Sequence, residues 1–161
     1  MEYFKIFKKL SEKDVKYLIC GGIAVNIYGI PRMTADIDVV VEFSLENLER
    51  LDSAMSELGY KHLPQFKILE LAEEAARKRY ALEKNMKAYS YSGDGKDYVN
   101  FDIIIKLDFD FDEVWNNSEV RKVEGLNLHL ISINDLIKMK EHTGREQDKK
   151  DIEYLKKLNG E

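Results

Sequence analysis

Three aspartates stand where an acidic side chain is costly. Asp36 and Asp38 open the run Asp36-Ile-Asp-Val-Val-Val41, and Asp102 sits inside Phe101-Asp-Ile-Ile-Ile105. On a strand, side chains two residues apart share a face, about 7 Å from one another at two rises of about 3.3 Å. Asp36 and Asp38 therefore face one way while Ile37 and Val39 face the core. Two like charges at the edge of an apolar run repel and are expensive to bury unless a cation joins them. Aspartate is also a poor strand former, so Asp102 needs compensation of the same kind. Carboxylate oxygens are the natural hard ligands for Mg²⁺. A pair of such ions, about 4 Å apart, can activate an attacking oxygen and stabilise a departing one. Asp-x-Asp alone is weak, because Asp108-Phe-Asp-Phe-Asp112 matches it twice more.

Context favours the first pair. A strand over 15–20 runs straight into Gly21-Gly22, and glycines there let the backbone approach a triphosphate that the N–H groups of the next helix would favour. Pro31-Arg-Met-Thr34 leads into the strand bearing Asp36.

The elements that must position these residues follow from periodicity. A short amphipathic helix carries Phe4, Phe7 and Leu10. A second short helix spans 22–29 and is closed by Gly29 and Pro31. After the strand 36–42, Ser44 is an N-cap for a helix bearing Leu45, Leu48, Leu51, Met55 and Leu58, which ends at Gly59. Residues 67–84 read as one long helix. Strands over Lys87–Ser92 and Tyr98–Leu107 are joined by Gly93-Asp-Gly95 as a hairpin. A short helix near Phe111–Trp115, strands near Glu119–Glu124 and Leu126–Ile131, and helices from about Asn134 and Gln147 complete the chain. In the last two, Leu136, Ile137, Met139, Ile152, Leu155 and Leu158 supply core faces. This order predicts an α+β fold, α/β-like, with a small mixed sheet flanked by helices and a C-terminal helix pair. One domain is expected over 1–161, with a catalytic core over about 15–131 and a helical segment over about 132–159.

Composition bounds the function. The chain has 161 residues, 44% hydrophobic and 34% charged, with a net charge of −5, which argues against a broad grip on nucleic acid. Arg77-Lys-Arg79 lies among Glu73, Glu74 and Glu83 and reads as a solvated helix face. No apolar run reaches the ~20 residues of a membrane span, and the amino terminus lacks a signal-peptide core, so a cytoplasmic protein with no membrane partner is expected. Cys20 reads as a small buried hydrophobe.

Taken together, Gly21-Gly22, thirteen intervening residues, Asp36-Ile-Asp38 and Asp102 resemble the active-site signature of the polymerase-β-like nucleotidyltransferase superfamily. Arg32-Met-Thr-Ala-Asp-Ile-Asp38, Asp135-Leu-Ile-Lys-Met-Lys140 and Arg145-Glu-Gln-Asp-Lys-Lys-Asp151 are similar to its small prokaryotic group that includes abortive-infection type toxins. The similarity runs from about residue 17 onward and is weakest over 60–95. The resemblance implies the nucleotidyltransferase fold and transfer of a nucleoside monophosphate from an NTP to an acceptor hydroxyl on a protein, a tRNA end or a small molecule. It implies two Mg²⁺ ions, or Mn²⁺, held by Asp36, Asp38 and Asp102. Asp102 would also help to activate the acceptor. It further implies Gly21, Gly22, Arg32, Thr34, Lys140, Arg145 and Asp148 around the nucleotide, with Asp151 in the same terminal motif, and a cognate antitoxin.

Two other readings compete. A non-catalytic member of the fold would bind a nucleotide or a partner without turning it over. A calcium loop over Asp108–Glu119 would use Asp108, Asp110, Asp112, Asn116 and Glu119 at loop positions 1, 3, 5, 9 and 12, although Glu113 stands where the loop needs glycine. His62, His129 and His142 have no metal-ligand spacing.

Overall fold

The computed structural model describes residues 2–95, 99–106 and 108–161. The chain runs through α1 (Glu2–Glu12), β1 (Tyr17–Cys20), α2 (Gly21–Ile27), β2 (Asp36–Val41), α3 (Leu45–Glu57), β3 (Lys61–His62), a 3-10 helix (Ile68–Ala72), α4 (Glu74–Glu83), β4 (Ala88–Ser92), β5 (Asn100–Ile104), α5 (Phe111–Asn116), β6 (Glu119–Val123), β7 (Leu126–Leu130), α6 (Ile133–Glu141) and α7 (Glu146–Leu158). Among the described residues the strands form one mixed sheet in the order β3-β4-β5-β2-β1-β7-β6. β2 pairs antiparallel with β1 and parallel with β5. No helix among the described residues is long and apolar enough to cross a membrane.

Alternation along the strands divides the sheet. Tyr17, Ile19, Ile37, Val39, Val41, Tyr89, Tyr91, Phe101 and Ile103 share one fully buried face. Helices α1 and α3 cover it: Phe7 stacks on Tyr17 at 6.0 Å between ring centroids, and the Tyr91 hydroxyl donates to Asp52 at 2.7 Å. The other face carries Leu18, Cys20, Asp38 and Asp102. Helix α5 reaches it, where Trp115 stacks on His129 at 5.0 Å.

Ser44 caps α3 as its sequence position predicts, accepting from the Asn47 N–H at 3.3 Å. Of that helix's apolar stripe, Leu48, Leu51 and Met55 are buried, while Leu45 is exposed. Asn47, itself buried, binds the chain ends of two strands together. Its Oδ1 accepts from the Lys16 N–H at 2.7 Å, and its Nδ2 donates to the Lys16 and Glu42 carbonyls at 2.9 Å each.

Four features depart from the sequence expectations. The helix over 67–84 is broken: Ile68 and Leu71 are buried in a 3-10 turn, and Glu73, with extended backbone (φ −81°, ψ 121°), separates it from α4. Arg77 stabilises the break by donating to the Leu71 and Ala72 carbonyls at 2.6 and 3.1 Å. Leu158 is exposed, leaving Leu155 to fill the α7 core position. The first strand begins at Tyr17 because Asp14 turns the chain with φ +52°. The calcium loop does not form, since Asp110 caps α5 by accepting from the Asp112 and Glu113 N–H groups and Glu119 is paired in β6. The hairpin β4–β5 is as expected; Tyr98 and Leu107, the ends assigned to its second strand, lie outside the described residues.

Replacing Asn47 with Ala removes three hydrogen bonds and leaves the part-buried Lys16 N–H and Glu42 carbonyl without that partner, which costs about 1–3 kcal/mol per unmet group. Urea unfolding followed by circular dichroism is expected to show a loss of at least about 2 kcal/mol. A wild-type midpoint for the variant would remove the clamp role.

Candidate active site

The parallel register between β2 and β5 places Asp36 opposite Asn100 and Asp38 opposite Asp102. Residues opposed in register share a face, and neighbouring strands lie about 4.8 Å apart. The three aspartates, drawn from strands far apart in sequence, thus stand on one side of the sheet, all partly accessible. On the far side of Asp102, the antiparallel register places Ser90 in line, close enough to lower the Asp102 carboxyl. Asn100 Nδ2 donates to Asp36 Oδ1 at 3.4 Å.

Charge accumulates here. Burial first, then the charges of Asp102 and Asp36, push the Asp38 carboxyl up to about 6, with Lys140 and Arg145 pulling it back. Burial likewise raises Asp102, against the Ser90 side chain that lowers it.

Gly21 and Gly22 close the site at the end of β1. Gly21 adopts φ +62°, and a Cβ there would lie 2.0 Å from Asp38 Oδ2. Both the backbone conformation and the space require glycine. At Gly22 a Cβ would meet Thr34 Oγ1 at 2.7 Å and the Arg32 guanidinium carbon at 3.3 Å. The sequence therefore brings Gly21, Gly22, Arg32, Thr34, Asp36, Asp38 and Asp102 into one neighbourhood. Thr34 is held by its own hydroxyl, which donates to the Asp36 carbonyl at 3.3 Å.

The C-terminal candidates are arranged differently. Lys140 is 6% exposed, and its ammonium donates to Asp148 Oδ1 and Asp151 Oδ2 at 2.8 Å each. Asp148 also accepts from the Thr143 hydroxyl at 2.5 Å and is reached by Arg145 at 3.4 Å. Burial pushes the Asp148 carboxyl up, and the Lys140 and Thr143 hydrogen bonds outweigh it, leaving it below its ordinary value. Asp151 pairs with Arg32, and Arg145 is largely exposed. Lys140 thus faces inward, engaged by carboxylates, although its charge still reaches Asp38. Ser90 is a site neighbour not singled out from sequence; the alternation Ala88-Tyr-Ser-Tyr-Ser92 is its one signal.

Beyond Asp102 along β5 opens a cavity of about 550 Å³, lined by Ile104, Lys106, Met139, His142 and Arg145 among others. Among the described residues no group of three His, Cys, Asp or Glu side chains already meets ion-holding spacing. The donor set still fits a hard cation: three carboxylates on one face, with the central one pushed up by burial and then by its neighbours' charge.

The mixed sheet, with two glycines at the mouth of one strand and aspartates on the next two, has the nucleotidyltransferase fold, and the family match makes the chain a nucleotidyltransferase. The chain belongs to the AbiEii family, "Nucleotidyl transferase AbiEii toxin, Type IV TA system", whose pattern matches residues 6–140. A comparison with curated proteins finds no match. In fold the chain is similar to the lincosamide antibiotic adenylyltransferase LnuA bound to lincomycin, at 18% identity over 98% of this chain and 96% of that one, with a TM-score of 0.65. It is also similar to ANT(2")-Ia in complex with adenylyl-2"-tobramycin, at 13% identity over 98% and 92%, TM-score 0.56. A third likeness is to an antigenic nucleotidyltransferase-like protein from Paracoccidioides brasiliensis, at 15% identity over 94% and 71%, TM-score 0.55.

The raised Asp38 has a consequence for stability. Its folded pKa, about 6, lies above the unfolded value, so the folded chain holds a proton that the unfolded chain has released between about pH 4 and pH 6. The stability from this group is full below that window and lost as the pH rises through it. In ion-free buffer at pH 7.5, Asp38→Asn is expected to be more stable than wild type by about 3 kcal/mol. The difference disappears near pH 4, as thermal melts at the two pH values will register. An equal difference at both would refute charge crowding as its cause.

Proposed function

We propose that this chain transfers a nucleoside monophosphate from an NTP to an acceptor hydroxyl, with Asp36, Asp38 and Asp102 as the carboxylates at the centre of the reaction. The observation that carries this is the β2–β5 register, which puts Asp102 beside Asp38 and on the face of Asp36.

Asp36 and Asp38, with Asp102, would hold the divalent ions, Mg²⁺ or Mn²⁺, which when bound supply charge neutralisation for the phosphates. Gly21 and Gly22 leave the backbone bare where the triphosphate lies, and Arg32 and Thr34 flank it. Asp102 takes the proton of the acceptor hydroxyl. Burial raises its basicity. The acceptor oxygen forms a bond to the α-phosphorus as the bond from that phosphorus to the bridging oxygen breaks, and pyrophosphate leaves. Arg145 lines the cavity beyond Asp102 and also bears on Asp38, which makes that cavity the approach for the acceptor. Its lining mixes Lys87, Lys106 and Lys138 with Asp108, Glu113 and Glu141, suited to a polar acceptor: a protein side chain, a tRNA end or a small alcohol. Retention of all three carboxylates on one face supports catalysis over a non-catalytic binding role. Membership of a toxin family supports a toxin acting in the cytoplasm, opposed by a cognate antitoxin.

Incubation with each α-labelled NTP, Mg²⁺ and a cell lysate is expected to yield a labelled product whose size and nuclease or protease sensitivity identify the acceptor. In the Asp36→Ala, Asp38→Ala double variant the label should fall by at least about a hundredfold. Transfer at the wild-type rate by the folded double variant would overturn the assignment.

A further inference from the structure

The sequence pattern groups Asp151 with the C-terminal motif, but its carboxylate bonds across the molecule. At 1% exposure it is among the most deeply buried charges. Its Oδ1 accepts from Gln147 Nε2 at 3.0 Å, and its Oδ2 accepts from Lys140 at 2.8 Å and from the Arg32 guanidinium. Lys140 suffices to tie α7 to α6, while Gln147 bonds within α7. Arg32 comes from the loop before β2, 119 residues away, and stands against Gly22.

We infer that Asp151 is a positioning residue for nucleotide binding: it acts through Arg32, fixing the guanidinium over Gly22, while Lys140 braces Asp151 from inside. This rests on the reading of Gly21, Gly22 and the three aspartates as the nucleotide site. An arginine side chain gives up substantial rotamer freedom when it engages a phosphate, and a carboxylate that holds it beforehand removes part of that cost. Arg32 is suited to contact the ligand. Its side chain is 21% exposed, against 6% for Lys140, whose ammonium would have to leave two carboxylates to reach a phosphate. The ligand is therefore a polyphosphate met by Arg32, with Lys140 and Asp151 behind it.

A double-mutant cycle tests this. Binding of the α,β-methylene analogues of the four NTPs with Mg²⁺, which cannot transfer, is measured calorimetrically for wild type, Arg32→Ala, Asp151→Asn and the double variant. Arg32→Ala is expected to weaken binding about tenfold and Asp151→Asn several-fold, with the double variant within about twofold of Arg32→Ala, because both changes remove one interaction. In label transfer, Asp151→Asn raises KM for the NTP and leaves kcat nearly unchanged. Additive losses would overturn the inference and leave the nucleotide site standing. Tighter binding by Asp151→Asn would also overturn it, showing that Asp151 competes for Arg32. If wild type binds none of the analogues, the site reading fails together with the inference. Should Asp151→Asn fail to fold, Lys140→Met with Asp151→Asn removes both buried charges at once. The same cycle with Arg32→Ala then separates shared from additive losses in the same way.

Discussion

The site depends on a parallel pairing between two strands far apart in sequence. β2 could lie beside β5 in several registers, and a slip of one residue would send Asp102 to the apolar face with Phe101 and Ile103. The register is held because those two side chains, with Ile37 and Val39, fill a fully buried layer under α1 and α3. The hydrophobic face thus fixes the position of the charged one. Burying the apolar side chains stabilises the sheet, and that stability offsets the cost of crowding three carboxylates on the reverse. Functional sites commonly carry local strain of this sort.

A second layer of charge sits behind the first. Lys140, Asp148 and Asp151, all buried, form with Arg32 and Thr143 a network in which each carboxylate oxygen has a partner. Such a cluster adds little to stability compared with an apolar core of the same volume. Its effect is to bring the α6–α7 pair and the 31–34 loop to a defined place around the aspartates. Lys140, together with Arg145, bears on Asp38, moderating a carboxyl that burial and its neighbours push up.

Much of this was legible in the sequence. The apolar alternation of β2 and β5, the stripe and Ser44 cap of α3, and the co-facial Asp36 and Asp38 follow from periods of 2 and 3.6. What escaped depends on tertiary partners. The break at Glu73 has no local breaker residue, since α4 lacks buried residues and Arg77 meets the freed carbonyls. Strand β3 has only two residues, too few for any period. Asp110 matched a metal-binding spacing, yet a backbone N–H pair claimed it as a cap. Asp148 and Asp151 lie in a charge-rich helix that reads as solvated until Lys140 packs against it. Ser90 becomes a neighbour of Asp102 only through the hairpin register.

The long span of the Arg32–Asp151 pair bears on how the molecule comes into being. Contacts between distant segments must wait for loops to close, and folds rich in them form more slowly than those built from neighbours. During synthesis the glycine turn and the first two aspartates emerge early, Asp102 much later, and the helix bearing Asp151 later still. A nascent chain halted before that helix already has Arg32 and Lys140 but lacks the Asp148 and Asp151 carboxylates that hold them. Competence therefore waits on the helix bearing Asp151, made after every other segment that the site draws on.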